Sequence, residues 1–546
     1  MKIALAQLNY HIGNFESNTQ KIIQTIKDQK LEGTDLVVFA ELCVSGYPPR
    51  DFLEYPDFIA LCEKAAQEIA AATTGIACII GLPIVNTVKE GKDLYNAAYF
   101  IADGEVRQII RKALLPTYDV FDEYRYFEPE HTFKCVDYKG YKIALTICED
   151  LWNLGDNPLY KTCPMDMLME ENPDFMINIA ASPFAYRHEE ERIFVLSRNC
   201  HKYHLPLFYV NQVGAQTELI FDGGSLVFDK AGDIVSEFDY FKEDVRVFDV
   251  EQIQRAIVLN KAHQVVSDTE QVYQALILGI KDYFQKSGFK KAVLGLSGGI
   301  DSAVVCALAC EALGSENVLA VLMPSKYSSD HSIKDAMDLV RNLTCKSTII
   351  PIKDVADAFE LTLAKEFKDL PANITEENLQ ARSRGILLMA MSNKFGYILL
   401  NTSNKSEAAV GYGTLYGDMC GAISVIGDCY KTQVYQLAEY INRNKEIIPL
   451  NSIVKPPSAE LRPGQKDADS LPDYGILDKI LFEYIELKKS ADAIISDGHE
   501  PNLVNKILSL VNKSEFKRYQ TPPTLRVSPK SFGMGRRMPI VGKYLS

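Results

Sequence analysis

The pattern that most restricts the fold of this chain is an alternation of short apolar runs with helix-length amphipathic stretches. In the first series, residues 1 to about 248, runs such as LVVFA and YKIALTI are separated by stretches such as NTQKIIQTIKDQKL. Short β-branched runs predict buried strands, and apolar residues recurring every three or four positions predict helices. The Ala-Gly-Asp turn at 231–233 joins two strand-like runs. We therefore expect an α/β sandwich with some antiparallel pairing, rather than an all-parallel barrel.

A second α/β series follows a polar, helical stretch at 249–272. It begins with a long amphipathic helix and continues as strand KAVLGLS, helix DSAVVCALACEAL, strand VLAVLMP and further alternating elements. Alternating strands and helices of this kind predict an open, doubly wound parallel sheet. With 546 residues, the chain is long enough for two large domains. The predicted organisation is a domain at 1–248, a helical linker at 249–272 and a domain at 273–546.

The charge and the cysteine content exclude several classes of protein. The formal net charge is -14, so the chain offers no basic field for nucleic acid or an anionic membrane surface. No apolar run approaches the roughly 20 residues that span a bilayer, and the first residues, MKIALAQLNYHIGN, do not read as a secretory leader. The twelve cysteines are scattered without zinc or disulfide spacing. We therefore expect a cytoplasmic protein without a structural metal.

Within the second series, a strand runs directly into the segment Ser297–Ser302, after which a helix begins. Two adjacent glycines, two hydroxyl side chains and a helix N-terminus are features that favour an anion such as phosphate. The segment SGGIDS does not match the GxxxxGK[ST] phosphate loop of kinases and GTPases. The alternative is a structural turn that caps the helix.

The sequence SGGIDS resembles the pyrophosphate-binding loop of the ATP-pyrophosphatase superfamily. Members of that superfamily cleave ATP between the α- and β-phosphates and adenylate a substrate. The resemblance implies that ATP is bound by the residues of this loop: Gly295, Leu296, Ser297, Gly298, Gly299, Ile300, Asp301 and Ser302.

Blocks at 377–382, 401–407, 411–418 and 515–518 resemble the signature blocks of NAD synthetases. This resemblance implies ATP contacts at Thr402 and Lys431, and a Mg²⁺ ion near Asp301 and Glu407, since hard cations prefer oxygen ligands. Without the family, Glu407 would be interpreted as a solvated surface residue. The GxG in GYGTLYG lacks the Rossmann spacing, so the dinucleotide would be a substrate with no role in hydride transfer. The deamido-NAD contacts implied by the resemblance are Asn378, Glu407 and Lys517.

Three reactive residues in the first series follow strand-like runs: Glu41 after LVVFA, Lys112 after VRQIIR and Cys148 after YKIALTI. Side chains at strand ends can converge on one edge of a sheet. Singly, each has an ordinary structural interpretation: a buried thiol, a cap and a solvated lysine. In order, and with spacings of 71 (112 minus 41) and 36 (148 minus 112) residues, they resemble the Glu-Lys-Cys triad of the nitrilase superfamily.

The nitrilase resemblance implies that Cys148 attacks the glutamine amide and forms a thioester. Glu41 would accept the thiol proton and later protonate ammonia, and Lys112 would lie where the oxyanion develops. We expect the helix after the strand to lower the pKa of Cys148.

The same resemblance implies an additional carboxylate at Glu123 and glutamine contacts at Tyr118 and Ser182. The nitrilase-type pattern often has a lysine at the position that His188 occupies in this chain. Whether Arg187 or His188 contacts the substrate carboxylate stays open.

Over nearly its whole length the chain resembles glutamine-dependent NAD synthetases. The implied reaction adenylates deamido-NAD with ATP, and ammonia from glutamine displaces AMP to form NAD, with a protected passage for ammonia expected between the two sites. The implied partners are small-molecule substrates and further copies of the chain in a homo-oligomer. Two alternatives are an ATP-pyrophosphatase that modifies tRNA, disfavoured by the acidic charge, and a non-catalytic nucleotide sensor, disfavoured by the intact triad.

Overall fold

The computed structural model describes residues 1–154, 158–255, 266–465, 467–469 and 471–544. Two compact units divide the chain, Met1–Val265 and Val266–Ser546. Part of the predicted linker, residues 256–265, lies outside the described residues. In the described part of this linker, a short helix spans Val250–Gln254 and a long helix begins at Asp268.

The first unit contains two six-stranded sheets and a hairpin. Its strands are β1 Lys2–Gln7, β2 Leu36–Val38, β3 Ala77–Val85, β4 Leu94–Ala102, β5 Glu105–Arg111, β6 Val136–Tyr138, β7 Tyr141–Ile147, β8 Phe175–Ala180, β9 Leu207–Asn211, β10 Val213–Gln216, β11 Leu219–Asp222, β12 Leu226–Phe228, β13 Ile234–Glu237 and β14 Asp244–Asp249. The first sheet has the order β14-β1-β2-β3-β4-β5, the second β13-β12-β9-β8-β7-β6, and β10 pairs with β11. Both large sheets mix parallel and antiparallel pairs. In the first sheet, β1 is parallel to β2 and antiparallel to β14. In the second sheet, β7 is parallel to β8 and β12 is antiparallel to β13.

The helices of the first unit are α1 Phe15–Leu31, α2 Pro56–Ala71, α3 Pro164–Leu168, α4 His188–Tyr203 and α5 Val250–Gln254. Strand side chains alternate between two cores, as the pleat requires. In β1, Ile3 and Leu5 pack in a core that also contains Leu145 and Ile177 of the second sheet. Ala4 and Ala6 point the other way, into the core beneath α1 and α2. The predicted α/β sandwich is therefore confirmed.

The second unit is built on one five-stranded sheet, in which each pair of neighbouring strands is parallel. Its strands are β15 Ala292–Gly295, β16 Val318–Leu322, β17 Lys346–Ile349, β18 Ile398–Asn401 and β19 Ile423–Ser424, in the order β17-β16-β15-β18-β19. The chain winds outward from β15 in one direction and from β18 in the other. This is the predicted doubly wound arrangement, and ligands bind such sheets beyond the carboxyl ends of the strands at the reversal of strand order.

The helices of the second unit surround this sheet and form a C-terminal helical cluster. They are α6 Asp268–Lys286, α7 Ile300–Leu313, α8 Asp330–Leu343, α9 Lys353–Leu363, α10 Ile374–Phe395, α11 Lys405–Val410, α12 Lys431–Ile441, α13 Leu450–Val454, α14 Tyr474–Ile485, α15 Ala491–Ser496, α16 Pro501–Lys513 and α17 Glu515–Arg518. Helix α7 is buried along most of its length, which explains its nearly continuous apolar sequence. Among the described helices, none is long and apolar enough to cross a membrane.

Candidate active site

The three reactive residues of the first unit are brought together in the interior. Glu41 lies three residues beyond β2, Lys112 directly follows β5, and Cys148 directly follows β7. Glu41 and Lys112 thus extend from the first sheet and Cys148 from the second, rather than all three from one sheet edge as expected. The strand ends meet because the two sheets share a core. All three side chains are buried, Lys112 completely.

Lys112 is held between two carboxylates. Its Nζ atom lies 2.7 Å from Glu41 Oε1 and 2.8 Å from Glu123 Oε2. Burial opposes the charge of Lys112, but Glu123 and Glu41 outweigh it and raise the lysine pKa well above its usual value. Burial raises the pKa of Glu123 despite the opposing effect of Lys112. The arrangement therefore fixes a charged lysine beside Glu41.

Neighbouring groups position both carboxylates. The Asn96 side-chain amide donates to Glu41 Oε1 over 2.7 Å, and the Ala181 backbone N–H donates to Glu41 Oε2 over 3.0 Å. The Tyr47 hydroxyl donates to Glu123 Oε1 over 2.8 Å. These donors leave each carboxylate one orientation. The roles of Asn96 and Tyr47 were not predicted from the sequence, since no spacing rule relates these residues to the triad.

Cys148 lies at the start of a four-residue 3₁₀ turn, Cys148–Leu151, and has a left-handed φ of 42°. Burial raises its pKa well above the usual value, and Glu41 adds to the increase. The expected depression of the pKa was wrong. The turn is short and contains the acidic residues Glu149 and Asp150, and the positive charge of Lys112 is shared with two carboxylates. The resting side chain is therefore a thiol.

Asp150 ties the lysine and cysteine segments together. Its Oδ1 atom accepts the backbone N–H groups of Ala113 and Leu114 at 3.0 and 2.9 Å, and its Oδ2 atom accepts that of Ile147 at 3.0 Å. The acceptor side chain thus fixes the residues next to Lys112 against those next to Cys148.

The predicted glutamine contacts Tyr118 and Ser182 belong to two separate hydrogen-bonded clusters of this unit. The Tyr118 hydroxyl donates to Glu149 Oε2 over 2.9 Å, and Tyr160 donates to Glu149 Oε1 over 3.0 Å. Ser182 Oγ lies 3.3 Å from His188 Nε2. Glu149 and Tyr160 were not predicted as site residues from the sequence, although Glu149 directly follows Cys148.

The two alternatives for the substrate carboxylate differ in their surroundings. His188 contacts Ser182 and stacks on Trp152 with a centroid distance of 5.5 Å. Arg187 is exposed and has a left-handed backbone conformation, with φ at 65°. His188 is therefore the residue placed beside a predicted glutamine contact.

In the second unit, the glycine-rich segment connects β15 to α7 beside the neighbouring strand β18. Gly298 has φ at 80°, and a Cβ atom there would lie 2.2 Å from the Ser332 carbonyl oxygen, so only glycine fits. Ser297 Oγ and Ser302 Oγ lie 3.1 Å apart. The turn therefore presents hydroxyls and backbone N–H groups at a helix N-terminus.

A cavity of about 310 Å³ opens beside this turn. Predicted ATP and metal residues lining it are Gly295, Leu296, Ser297, Gly299, Ile300, Asp301, Ser302, Thr402, Glu407 and Lys431. Gly298 supports the turn from outside the lining. Arg384, whose Nε atom donates to the Met323 carbonyl over 3.1 Å, also lines the cavity and was missed because it lies mid-helix in α10.

Asp301, Glu407 and Lys431 form a charged group on one wall. Lys431 Nζ is paired with Asp301 and lies 3.8 Å from Glu407 Oε1. The Asn404 side-chain amide donates to Asp301 Oδ1 over 3.0 Å. Burial raises the pKa of Glu407, and Asp301 adds to the increase. The two carboxyl groups therefore lie on either side of one lysine on the cavity wall.

The other two predicted deamido-NAD contacts, Asn378 and Lys517, lie against the segment 411–417 instead of lining the cavity. Thr414 Oγ1 donates to Asn378 Oδ1 over 2.7 Å, and Lys517 Nζ donates to the carbonyls of Gly411 and Gly413, each over 2.8 Å. Tyr412 and Gly417 of the same segment line the cavity. Asn378 and Lys517 thus support one wall of it.

Comparisons with known proteins identify both units. Residues 2–257 match the carbon-nitrogen hydrolase family, and residues 272–521 match the NAD synthase family. A glutamine-dependent NAD(+) synthetase from Synechocystis is 46% identical, with 98% of each chain covered. One from Thermotoga maritima is 40% identical, covering 100% of this chain and 99% of the relative.

Solved structures show the same relation. The glutamine-dependent NAD⁺ synthetase from Acinetobacter baumannii, solved with ADP, is 39% identical with a TM-score of 0.78 and covers 99% of this chain and 98% of its own. A synthetase structure from Cytophaga hutchinsonii, only 20% identical, has a TM-score of 0.84 over 100% and 98% of the two chains and supports the fold. Over its full length, the chain therefore belongs to the glutamine-dependent NAD(+) synthetase family.

Proposed function

We propose that Glu41, Lys112 and Cys148 carry out the glutamine hydrolysis of this NAD synthetase, and that the cavity beside Ser297–Ser302 binds ATP. The enzyme is a carbon-nitrogen ligase that makes NAD from deamido-NAD with ammonia from glutamine. The observation that carries the assignment of the first site is the buried pair of Lys112 and Glu41, 2.7 Å apart, beside a cysteine. Together the three residues can supply a nucleophile, a general base and a cation for the oxyanion, which are the groups that amide hydrolysis through a thioester uses.

In the proposed reaction, the Cys148 sulfur attacks the carbon of the glutamine amide while Glu41 accepts the thiol proton. Lys112 stabilises the negative oxygen of the tetrahedral intermediate. Glu41 then protonates the leaving nitrogen, which departs as ammonia and leaves a thioester on Cys148. Water, deprotonated by Glu41, hydrolyses the thioester and releases glutamate. Because the resting cysteine is a thiol, proton transfer to Glu41 belongs to the attack itself.

For glutamine selection, we propose that Tyr118 and Ser182 contact the substrate, together with Glu149, a group absent from the sequence expectation. Glu149 can pair with the substrate ammonium group, and Tyr118 and Tyr160 hold its two oxygens in place. His188, which contacts Ser182, would then face the substrate carboxylate.

In the second unit, we propose that Ser297–Ser302, Thr402 and Lys431 bind ATP. We also propose that deamido-NAD is contacted by Glu407 on the cavity wall and by Asn378 and Lys517 beside the segment 411–417. The donor set fits Mg²⁺, since Asp301 and Glu407 supply carboxyl oxygen ligands on the wall of one cavity. When bound there, Mg²⁺ would neutralise phosphate charge. The residues themselves orient the α-phosphate toward the nicotinate carboxylate and leave pyrophosphate at the glycine-rich turn.

The test of the second site is the Asp301→Asn variant, with Asp338→Asn as the matched control. Asp338 lies on α8 in surface ion pairs, outside the cavity lining. We expect Asp301→Asn to lose Mg²⁺-dependent AMP formation by at least about tenfold, since a metal ligand is removed. Glutamine hydrolysis measured alone should stay unchanged. Unchanged AMP formation in Asp301→Asn would contradict the assignment.

We also propose that the enzyme works in the cytoplasm as a homo-oligomer. All twelve cysteines are unpaired, which suits a reducing compartment. Exposed apolar side chains on the first unit, Phe52, Tyr55 and Leu61, support self-association. Light scattering of the purified chain tests the proposed homo-oligomer, and a mass of one chain at all concentrations would contradict it.

The proposed domains follow the division of the chain into two compact units. We propose a glutaminase domain at 1–248 and a synthetase domain at 273–546, joined by the segment 249–272. The two family matches, 2–257 and 272–521, support these limits.

A further inference from the structure

Three cysteines of the second unit meet in one cluster outside the cavity. Cys306 and Cys310 lie on α7, and Cys345 lies two residues beyond the end of α8. Their three sulfur atoms all lie within 4.8 Å of one another, and all three residues are buried. In the described part of the chain, no other group of three or more cysteine, histidine or carboxylate side chains was found close enough to share a metal ion. We call these residues the thiol cluster.

We propose that the thiol cluster is a binding site for a thiophilic divalent metal ion, with Zn²⁺ as the occupant. Residues four apart on a helix project from the same face, which places the Cys306 and Cys310 sulfurs side by side. The chain returning from α8 to β17 adds Cys345 as the third. Zinc–sulfur bonds of about 2.3 Å place the sulfurs of a tetrahedral site about 3.8 Å apart. Ligation therefore requires sulfurs that now lie within 4.8 Å of one another to approach by about 1 Å or less.

The local chemistry favours a metal ion over three independent thiols. The three sulfur atoms lie within 4.8 Å of one another in a buried position, so a single ion can be bound by all three soft donors at once. Binding would replace thiol protons with metal–sulfur bonds and release those protons to solvent.

The charge of the cluster favours a divalent ion. Three thiolates around Zn²⁺ leave one negative charge in a buried site, whereas Cu⁺ would leave two, at a higher desolvation cost. A fourth ligand is available from solvent or from Ser315, whose side chain is hydrogen-bonded to Cys310. Small exposed fractions of Cys310 and Cys345, 6% and 8%, give the ion an entry path.

The cluster connects the helix that carries Asp301 to the next part of the sheet. Along α7, Cys306 and Cys310 lie five and nine residues beyond Asp301, which is about 7.5 and 13.5 Å of helix. An ion held there would join α7 to the entry of β17. The site is thus a structural link behind the ATP cavity and takes no part in the reaction proposed for it.

The test uses the full-length, untagged chain carrying Cys148→Ala, because that thiol could bind metal itself. The metal-free protein is titrated with Cd²⁺, whose bonds to thiolates give an ultraviolet charge-transfer absorption, and then with Zn²⁺ in competition. We expect one Cd²⁺ per chain, release of protons, and displacement by Zn²⁺. Adding Cys345→Ala or Cys310→Ala should remove the absorption. Adding Cys62→Ala, a buried helical cysteine of the first unit, should leave it unchanged.

A measurement without cluster variants guards against misfolding. Alkylation of Cys310 and Cys345, followed by mass spectrometry in the Cys148→Ala chain, should be slowed by one equivalent of Cd²⁺ or Zn²⁺. Three outcomes would overturn the proposal: no stoichiometric binding, an absorption that survives Cys345→Ala, or alkylation that the metal does not slow. Formation of a disulfide within the cluster under mild oxidation, without metal binding, would assign it to redox chemistry instead.

Discussion

At the residue scale, the position of Lys112 between Glu41 and Glu123 determines how Cys148 would be activated in the proposed reaction. The lysine charge is shared by two carboxylates 2.7 and 2.8 Å away, and its effect on the thiol is smaller than the opposing effects of burial and Glu41. Burial keeps the pKa of Cys148 raised. In the proposed reaction, the nucleophile therefore forms only when glutamine is in place and Glu41 accepts the proton, which would limit reactions of the free enzyme with other electrophiles.

This account predicts the pH dependence of Cys148 alkylation. A raised pKa means that the thiolate fraction is small at neutral pH and grows as the pH rises toward that pKa. The rate of reaction with iodoacetamide, without glutamine, should therefore increase by up to about tenfold per pH unit between about pH 6 and 9. Mass spectrometry of the peptide containing Cys148 measures the rate. A plateau near neutral pH would show that the thiol has a depressed pKa.

A second prediction concerns the division of chemistry between the sites. Cys148→Ala should abolish NAD formation from glutamine, because no thioester can form. High ammonium should restore NAD formation, because the cavity of the second unit is unchanged. The measurement is NAD production with each nitrogen donor, with Cys62→Ala as the control. Substantial glutamine-driven synthesis by Cys148→Ala would rule out this nucleophile.

The three residues of the proposed triad could be selected from the sequence because each follows a strand-like apolar run, in an order and at spacings that resemble the family's. The groups that orient it could not. Asn96 and Tyr47 reach Glu41 and Glu123 only because separate segments of the fold converge. The thiol cluster was also missed: Cys306 and Cys310 show helical spacing, but Cys345 joins them through the return of α8 to β17. Scattered cysteines thus gave no local signal of a shared site.

At the element scale, the sequence predicts the glycine-rich turn between a strand and a helix. Which other segments line the cavity beside this turn depends on the order of the strands in the sheet. β18 lies beside β15 although about 100 residues separate them in the chain, so Thr402 reaches the cavity next to Asp301. Parallel pairing brings both carboxyl ends to one edge. Sequence pattern predicts the strands, whereas their order depends on packing across the whole sheet.

The segment 455–475 forms part of the cavity wall in the described residues. Glu460 Oε1 accepts hydrogen bonds from Ser329 and Ser332 at 2.9 and 2.8 Å, and the Leu461 carbonyl accepts one from Gln380 at 3.0 Å. Lys466 and Ser470 lie outside the described residues. These contacts hold the segment against the cavity, and we predict that it closes over bound substrates, as active-site loops do in many enzymes.

Replacement of residues 460–470 by a short Gly/Ser linker tests this role. We expect the variant to fold but to release AMP in excess of NAD, because water would reach the adenylate. The measurement is the ratio of AMP to NAD, with Arg462→Ala, a substitution of one exposed ion-pairing residue, as the control. One NAD per AMP at an unchanged rate would show that the segment is only a connector.

At the scale of the whole molecule, the two α/β series in the sequence correspond to two compact units with separate sheets. Each unit has its own reactive site: a buried thiol with a lysine and carboxylates in the first, and a glycine-rich cavity with a charged wall in the second. The sequence predicted this division because the hydrophobic pattern restarts after a polar stretch. Glutamine hydrolysis and ATP-driven amidation are thus assigned to different parts of one chain.

The most direct test of this account is an end-point assay with ATP, deamido-NAD and glutamine labelled with ¹⁵N in the side-chain amide. We predict that the chain forms NAD carrying ¹⁵N in its carboxamide, with AMP and pyrophosphate in amounts equal to NAD and at least as much glutamate. Asp301→Asn should still produce glutamate but little NAD or AMP. Formation of ADP and phosphate instead of AMP and pyrophosphate, or NAD without the label, would contradict the account.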